Sequence, residues 1–305
     1  MARYAVIDVG TNSVKFHVGE KRADGTWAKI VDRAELTRLG EGLEATGGEF
    51  THDAMERTVA AIAGMAEEAR RYAVAAVAAV GTMGMRTARN SDAFMAQVEQ
   101  RCGVRIEVIP GTEEGRLAYL AVKSSLGLGV GSMVIFDTGG GSTQFTFGRG
   151  AAVTEQFSLN VGAVRFTEKY GLAGVLAPAD LQRAMDAIAA DLARLDGAAV
   201  PDALVGMGGA VTNLTAVMLG LGTYDPDAVQ GSVLTRGEVE RQIELYRSRS
   251  TEARRQIVGL QPKRADVILA GACIVRTVMG KLRKDELSVS DRGLRHGLLV
   301  DRFDG

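Results

Sequence analysis

The sequence predicts an α/β protein built from two similar halves. Short apolar runs rich in β-branched residues alternate with longer segments of helical periodicity, which is the pattern of strands joined by helices. Residues 5–19 also align without a gap with residues 134–148, an offset of 129 positions. The chain has 305 residues, which suits two domains at roughly 150 residues each. We therefore expect two related α/β domains rather than one large sheet.

Ten segments have the composition of strands. In the second of them, Val14, Phe16 and Val18 alternate with Lys15 and His17, so this strand is expected to bury one face. The predicted strands cover residues 4–8, 14–20, 27–34, 76–80, 105–109, 133–137, 144–147, 153–158, 203–206 and 288–289.

Eight helices are predicted from apolar periodicity and from residues that favour helix ends. In the first, Met55, Val59, Ile62 and Met65 form a stripe at helical spacing. The sequence T-R-G-E at 235–238 predicts a capping box. The helices are expected to begin near Thr51, Ser91, Thr112, Pro178, Gly209, Thr235, Pro262 and Gly293. The segment 122–131 resembles a loop that joins the two halves.

Composition excludes several classes of protein. The 36 basic and 37 acidic residues nearly balance, which argues against a dedicated nucleic-acid binder. The longest apolar run, residues 73–81, is far shorter than the ~20 residues that span a bilayer. The first residues enter a predicted strand without the pattern of a signal peptide. Neither the two cysteines nor the three histidines are spaced as in a disulfide framework or a zinc site. We expect a cytoplasmic protein that binds neither nucleic acid nor a membrane.

The internal repeat carries the first chemical signal. Each copy is a strand that ends in Asp, a turn of small polar residues and an alternating strand; Asp8 aligns with Asp137, and Ser13 with Ser142. Glycine turns let backbone N–H groups approach a phosphate, and a carboxylate beside phosphate requires a hard cation such as Mg²⁺. A single hairpin of this kind is typical of an ordinary tight turn. Two at matching positions favour a pair of phosphate-binding loops across one cleft.

A third glycine cluster, at residues 206–209, follows a predicted strand and opens a predicted helix. The free N–H groups of a helix N-terminus favour anions, although a tight strand-to-helix turn explains the same residues. The chain contains neither the G-x-x-x-x-G-K-[ST] pattern of a P-loop nor a G-x-G-x-x-G pattern. A P-loop fold and a dinucleotide-dependent oxidoreductase are therefore unsupported.

Charged residues follow two more predicted strands. Arg86 comes after the strand at 76–80, where it is either a surface residue or a clamp for phosphate oxygens. Glu113 and Glu114 lie in the first turn of a helix, where the helix dipole favours negative charge. The alternative is that one of them is a general base that orients water against phosphorus.

Two basic clusters stay open to interpretation. One cluster is the four arginines between residues 247 and 255, which could form a track for a polyanion. Because glutamates lie among them, a solvated helix face is the favoured interpretation. Lys263 and Arg264 either approach a substrate or cap a helix.

Seven segments in this order resemble the exopolyphosphatase/guanosine pentaphosphate phosphohydrolase (Ppx/GppA) family of the actin, sugar-kinase and heat-shock chaperone superfamily. They are AVIDVGTNSVKF, AVGTMGMRTA, VIPGTEEGRLAYL, VIFDTGGGST, GMGGAVTNL, GLQPKRADVILAGA and LSVSDRGLRHGLL. The resemblance covers nearly the whole chain. It implies two ribonuclease-H-like (actin-like ATPase) domains, each a mixed β-sheet flanked by helices, with phosphate in the interdomain cleft. Domain I is expected at residues 1–124, with a helix at about 293–305 packing back on it, and domain II at 125–292.

The resemblance also implies roles for individual residues. Glu114 looks like the catalytic base, Asp137 like the carboxylate that places Mg²⁺ and water, and Arg86 like the phosphate-binding arginine. Asp8 matches the acidic residue that ends the first strand, and it is expected to share the Mg²⁺ with Asp137 and Glu114, partly through water. The expected phosphate-binding residues are Thr11, Asn12, Ser13, Gly139, Gly140, Gly141, Ser142, Gly208 and Gly209.

The implied activity is Mg²⁺-dependent release of terminal phosphate from inorganic polyphosphate or from guanosine pentaphosphate (pppGpp). Gln144 departs from the family pattern, which commonly has Glu at this position, and the lost charge bears on metal affinity or substrate preference. It motivates one alternative, a regulatory protein that binds guanosine penta- or tetraphosphate with little hydrolysis. A phosphotransferase on the same fold is a further alternative. The resemblance is compatible with a homodimer, but the sequence does not identify a dimer interface.

Overall fold

The computed structural model describes residues 2–11, 13–41, 43, 46–128, 131–150 and 152–304. These residues form two mixed sheets flanked by helices, which confirms the predicted α/β class. The strands are β1 (Ala2–Val9), β2 (Ser13–Lys21), β3 (Trp27–Leu36), β4 (Ala76–Gly81), β5 (Ile106–Val108), β6 (Ser132–Thr138), β7 (Thr143–Arg149), β8 (Ala152–Leu159), β9 (Ala203–Met207), β10 (Val233–Thr235) and β11 (Glu286–Val289). The helices are α1 (His52–Arg71), α2 (Met83–Thr87), α3 (Ser91–Cys102), α4 (Gly111–Leu126), α5 (Ala163–Tyr170), α6 (Pro178–Asp191), α7 (Gly208–Leu219), α8 (Pro226–Val229), α9 (Arg236–Arg247), α10 (Thr251–Arg254), α11 (Ile268–Lys281) and α12 (Leu294–Phe303).

The chain divides into two compact units. Unit 1 consists of Met1–Ala121 and Gly293–Gly305, and unit 2 consists of Val122–Arg292. Within the described residues, no helix is both long enough and apolar enough to cross a membrane.

Unit 1 is a five-stranded sheet of order β3-β2-β1-β4-β5 with helices on both faces. Because side chains alternate along β1, Ala5 and Ile7 face the core beneath α1 and α3. Val6 faces the opposite side, where α4 contributes Leu117 and α12 contributes Leu298 to a second apolar cluster. The helix near the C-terminus therefore completes the core of the unit that contains the N-terminus.

Unit 2 is a six-stranded sheet of order β10-β11-β9-β6-β7-β8. Helix α11 is apolar on nearly all sides, since it packs against α5, α6, α7 and α9 and buries residues such as Leu269, Cys273 and Val278.

The internal repeat extends beyond the aligned hairpins. The order and strand directions of β3-β2-β1-β4-β5 are repeated in β8-β7-β6-β9-β11. In each sheet the pairing of the second with the third strand shifts register, between Val18 and Gly19 of β2 and between Phe147 and Gly148 of β7, with the extra residue on the third strand. The two register shifts keep the same offset as the hairpin tips. The sequence repeat thus reflects a repeated sheet rather than a chance similarity of two turns.

The ten predicted strands are all present, with ends that differ by up to about two residues. The three-residue strand β10 and the helices α2, α5, α8 and α10 were not predicted. Each of these spans eight residues or fewer, which is too short for a periodic pattern to stand out.

Several predicted boundaries were wrong. Helix α4 begins at Gly111, so Thr112 is not its cap, and it continues to Leu126 through much of the segment expected to be a loop. Pro262 begins a 3-10 turn, and the following helix starts only at Ile268. Thr235 does cap α9, where its hydroxyl accepts from the N–H of Glu238 at 3.2 Å. The Glu238 carboxylate, however, is bound to Arg241, because a nearby cation competes successfully with the cap.

Candidate active site

The first polar hairpin joins β1 to β2 in unit 1. Its turn is closed by a hydrogen bond from the N–H of Gly10 to the carbonyl of Ser13 at 3.1 Å. Asp8 is only 3% exposed, and Lys15, directly opposite on β2, places its ammonium 3.2 Å from Asp8 Oδ2. The Thr11 carbonyl accepts from the N–H of Gly40 at 2.8 Å. Asn12, also predicted to bind phosphate, lies outside the described residues.

Glu114 and Arg86 come together beside this hairpin. Strands β1, β4 and β5 are parallel, so their carboxyl ends meet at one edge of the sheet. Arg86 lies in α2, just after β4, and Glu114 lies in the first turn of α4, just after β5. The Arg86 guanidinium donates to the carbonyl of Ile109 at 2.6 Å and to the Glu114 carboxylate. Two residues separated by 28 positions thus form one ion pair.

The two adjacent carboxylates of α4 have different surroundings. Burial raises the pKa of Glu114 above its usual value, and the nearby charge of Asp8 acts in the same direction, while Arg86 opposes both. Glu113 is bound instead by both arms of Arg116, at 2.7 and 2.8 Å, and this hydrogen bonding lowers its pKa. Of these two carboxyl groups, Glu114 is therefore the one whose pKa is raised, as a general base requires.

The second hairpin joins β6 to β7 in unit 2 and has the same closure. The N–H of Gly139 donates to the carbonyl of Ser142 at 2.9 Å. Asp137 and Gln144 lie directly opposite each other on the two strands, and both are exposed. The position that holds a buried Asp8 paired with a partly exposed Lys15 in unit 1 thus holds an exposed Asp–Gln pair in unit 2.

The glycine turn of this hairpin is held by the start of α5. The N–H of Ala163 donates to Gly139 at 3.0 Å, and that of Val164 donates to Gly140 at 2.9 Å. A trans peptide directs its C=O and N–H to opposite sides, and the described residues contain no cis bonds. The N–H groups of Gly140 and Gly141 therefore point away from α5. No backbone acceptor for these two N–H groups is found among the described residues.

The start of α7 completes this group of residues in unit 2. A Cβ on Gly208, which has φ +84°, would overlap Oδ1 of Asp137, so the glycine and the carboxylate are in close contact. A Cβ on Gly209 would likewise overlap the guanidinium of Arg264. Asn213 holds this arrangement, because its side chain donates to the carbonyl of Gly209 and accepts from the N–H of Gln261, both at 2.9 Å. Sequence reasoning left the role of Arg264 open; the structure places its charge at a helix N-terminus beside the glycines.

The predicted Mg²⁺ ligands differ in how accessible they are. Asp137 is an exposed carboxylate beside a residue with no side chain, which suits a hydrated hard cation. Asp8 and Glu114 are each engaged by a cationic side chain. Of the three predicted ligands, the exposed carboxylate of Asp137 therefore fits a hydrated cation best.

One cluster was not found from the sequence. Atoms of His17, Asp32 and His296 lie within 4.8 Å of one another in unit 1. Both Asp32 oxygens accept from Arg295, at 2.6 and 3.0 Å, and His296 Nδ1 accepts from the N–H of Gly293 at 3.3 Å. The proton of His296 is then on Nε2, 3.1 Å from Asp32, where it leaves no lone pair for a metal. The cluster ties α12 to the sheet. The facing positions of His17 and Asp32 on β2 and β3 were its only sequence signal.

Arg254 is not part of a solvated face or of a polyanion track. Its side chain is completely buried and donates to the carbonyls of Tyr246, Leu172 and Gly174 at 2.8, 2.9 and 2.7 Å. Burial lowers its pKa. Arg254 therefore joins the end of α9 to the loop between α5 and α6 through their backbone carbonyls.

These features agree with a comparison against known protein families. The model of the Ppx/GppA phosphatase family matches residues 18–304. The chain belongs to the Ppx/GppA phosphatase family. The resemblance inferred from the seven motifs is thereby confirmed, as is the expectation of a hydrolase.

Relatives within the Ppx/GppA family include proteins of similar and of greater length. The chain is 30% identical to exopolyphosphatase 2 of Mycobacterium tuberculosis, over 98% of both chains. It is also 30% identical to guanosine-5'-triphosphate,3'-diphosphate pyrophosphatase of Vibrio atlanticus, over 98% of this chain and 60% of that one. The chain therefore spans only about half to two thirds of the length of some of its relatives.

A crystal structure of the Aquifex aeolicus Ppx/GppA phosphatase is also similar. It matches with a TM-score of 0.90 and 33% identity, over 99% of this chain and all of that one. The similarity confirms the expected actin-like ATPase class of fold for this member of the Ppx/GppA family.

Proposed function

We propose that this protein is a Mg²⁺-dependent phosphoanhydride hydrolase that releases terminal phosphate from inorganic polyphosphate, from pppGpp, or from both. The observation that carries the proposal is the pairing of the half-buried Glu114 with Arg86 at the sheet edge that holds Asp8. The names of the relatives from Mycobacterium and Vibrio support both substrates, since one is an exopolyphosphatase and the other a guanosine-5'-triphosphate,3'-diphosphate pyrophosphatase.

In this proposal each unit has its own phosphate-binding residues. In unit 2, the N–H groups of Gly140 and Gly141, the hydroxyl of Ser142 and the start of α7 at Gly208 and Gly209 bind phosphate oxygens. In unit 1, Thr11, Asn12 and Ser13 bind phosphate in the equivalent way. Asp137 would hold Mg²⁺, and the metal would neutralise charge on the phosphoryl oxygens.

Glu114 accepts the proton of the attacking water and orients that water for in-line attack on phosphorus. Its raised pKa makes the carboxylate a better proton acceptor than an exposed glutamate. Arg86 keeps the carboxylate oriented and, when substrate binds, offers its guanidinium to a phosphate oxygen. As the water oxygen bonds to the terminal phosphorus, the bond from that phosphorus to the bridging oxygen breaks. The terminal group is released as inorganic phosphate, and the shortened polyphosphate or nucleotide keeps the bridging oxygen and its electron pair.

The test is a matched pair of variants in the same helical turn. We expect Glu114→Gln to slow phosphate release by roughly 10²–10⁴-fold, with little change in the melting temperature. Glu113→Gln, which changes the adjacent carboxylate bound to Arg116, is expected to stay within a few fold of the wild type. Near-full activity of Glu114→Gln would remove Glu114 from the mechanism.

The exposed Asp137–Gln144 pair favours one second candidate, a regulatory protein that binds the guanosine nucleotides with little turnover. Phosphate release across polyphosphate lengths, pppGpp and ATP, with and without Mg²⁺, is to be measured beside calorimetry with the same ligands. Tight binding of pppGpp without phosphate release would support the regulatory protein. Phosphate release that requires an acceptor other than water would indicate a phosphotransferase.

A further inference from the structure

We infer that helix α12 is a positioning element for Glu114 and that Gly297 is the residue through which it acts. The inference rests on the proposed function, because it concerns the carboxylate assigned there as the base. Glu114 lies on α4, and Leu117 lies one turn further along the same helix, on the same side. Whatever fixes the backbone at Leu117 therefore fixes the direction in which Glu114 points.

The two helices touch backbone to backbone. A Cβ on Gly297 would overlap the carbonyl oxygen and carbon of Leu117, so the close approach exists only because residue 297 has no side chain. The side chains of Leu117, Leu298 and Leu299 pack together with Val6 and Val80 of the sheet. Neither helix can yield to a larger residue at 297 without moving its own backbone.

An ion pair joins the helices a second time. Asp301 of α12 accepts from Arg116 at 2.6 Å, and the same guanidinium is held by Glu113 at 2.7 Å. Glu113 and Arg116 lie within one turn of Glu114. Helix α12 therefore contacts the first two turns of α4, and these turns contain the proposed base Glu114.

The start of α12, just before Gly297, is anchored to the sheet and not to α4. Arg295 and His296 both bind Asp32 on β3, and His296 also accepts from the N–H of Gly293, which fixes the start of the helix. With its start held by the sheet, α12 has one register, in which Gly297 meets Leu117. The anchor explains a buried charged cluster that takes no part in the proposed reaction.

The experiment compares two glycine-to-alanine variants of helices in unit 1. We expect Gly297→Ala to lower kcat for phosphate release about tenfold or more, because a displacement of about 1 Å is enough to impair catalysis, while KM changes less than twofold. Gly64→Ala in α1, whose Cβ would meet nothing within 4 Å, is expected to match the wild type. Asp301→Asn keeps the packing and is expected to lower kcat about two- to threefold.

A second measurement separates positioning from general loss of structure. In Gly297→Ala the overlap with the Leu117 carbonyl must displace the backbone of α4, so the backbone amide NMR signals of Glu114 and Leu117 should shift. Gly64→Ala should leave both signals at their wild-type positions. Wild-type kcat together with wild-type signals of Glu114 in Gly297→Ala and Asp301→Asn would overturn the inference. Absence of phosphate release by the wild type would instead overturn the proposed function, while the NMR signals still test the positioning role.

Discussion

Gly208 lies against the carboxylate of Asp137, and its left-handed backbone (φ +84°) brings the start of α7 into contact with Oδ1. The parallel pairing of β6 with β9 sets Asp137 beside Met207, the residue that precedes the glycine. A residue with a side chain at position 208 would be strained in this conformation and would displace the carboxylate. Glycine at position 208 therefore permits both the left-handed backbone and the close contact with Asp137 at the proposed metal site.

Gly208→Ala is expected to weaken Mg²⁺ activation. Strain at a positive φ costs about 1–2 kcal/mol of stability, and the added Cβ also pushes Asp137 from its position. Gly220→Ala is the control, since Gly220 ends the same helix with φ +64° but has nothing within 4 Å of its Cβ position. Melting curves and Mg²⁺ titrations of phosphate release check both. Equal metal dependence in the two variants would separate Gly208 from the metal site.

Gln144→Glu is expected to tighten Mg²⁺ binding at the cost of stability without metal. The new carboxylate would face Asp137 across β6 and β7, and like charges directly opposite in a sheet cost about 0.2–1 kcal/mol. A bound cation removes the repulsion, so Mg²⁺ should raise the melting temperature of the variant more than that of the wild type. Gln144→Met, which has a similar size and no charge, is the control. A metal-independent melting temperature in Gln144→Glu would show that residue 144 does not face the cation.

His296 is expected to make unit 1 sensitive to mild acid. Burial lowers its pKa to about 3 from an ordinary value of 6.5, so the folded protein binds fewer protons than the unfolded chain between these values. Stability is therefore complete above pH 6.5 and falls as the pH drops towards 3, by at most about 1.4 kcal/mol per pH unit. His296→Gln retains a side chain suited to the helix start and should flatten this dependence.

The control for this prediction is the exposed His52 at the start of α1. Urea unfolding from pH 7 to pH 4.5 measures the slope for His296→Gln, for His52→Gln and for the wild type. An unchanged slope in His296→Gln would mean that another group carries the dependence.

The sequence by itself determined the fold class and the repeated hairpins. A strand with one buried face shows apolar residues at every second position, and the glycine turns after Asp8 and Asp137 show a short local motif. Strands and turns can therefore be identified from neighbouring residues in the sequence. The short helix α2 that carries Arg86 left no such pattern, nor did the true start of α4 at Gly111, because a single turn of helix gives too few residues for periodicity.

Only the tertiary structure decided which charges meet. Sequence could not choose between Glu113 and Glu114 on local grounds, since both lie in one helical turn; their partners Arg116 and Arg86 distinguish them, and Arg86 arrives from a separate strand end. The same holds for Asp32 and His296, which are 264 residues apart. Local patterns follow from backbone geometry, whereas ion pairs and close helix contacts depend on how the sheet brings distant segments to one place.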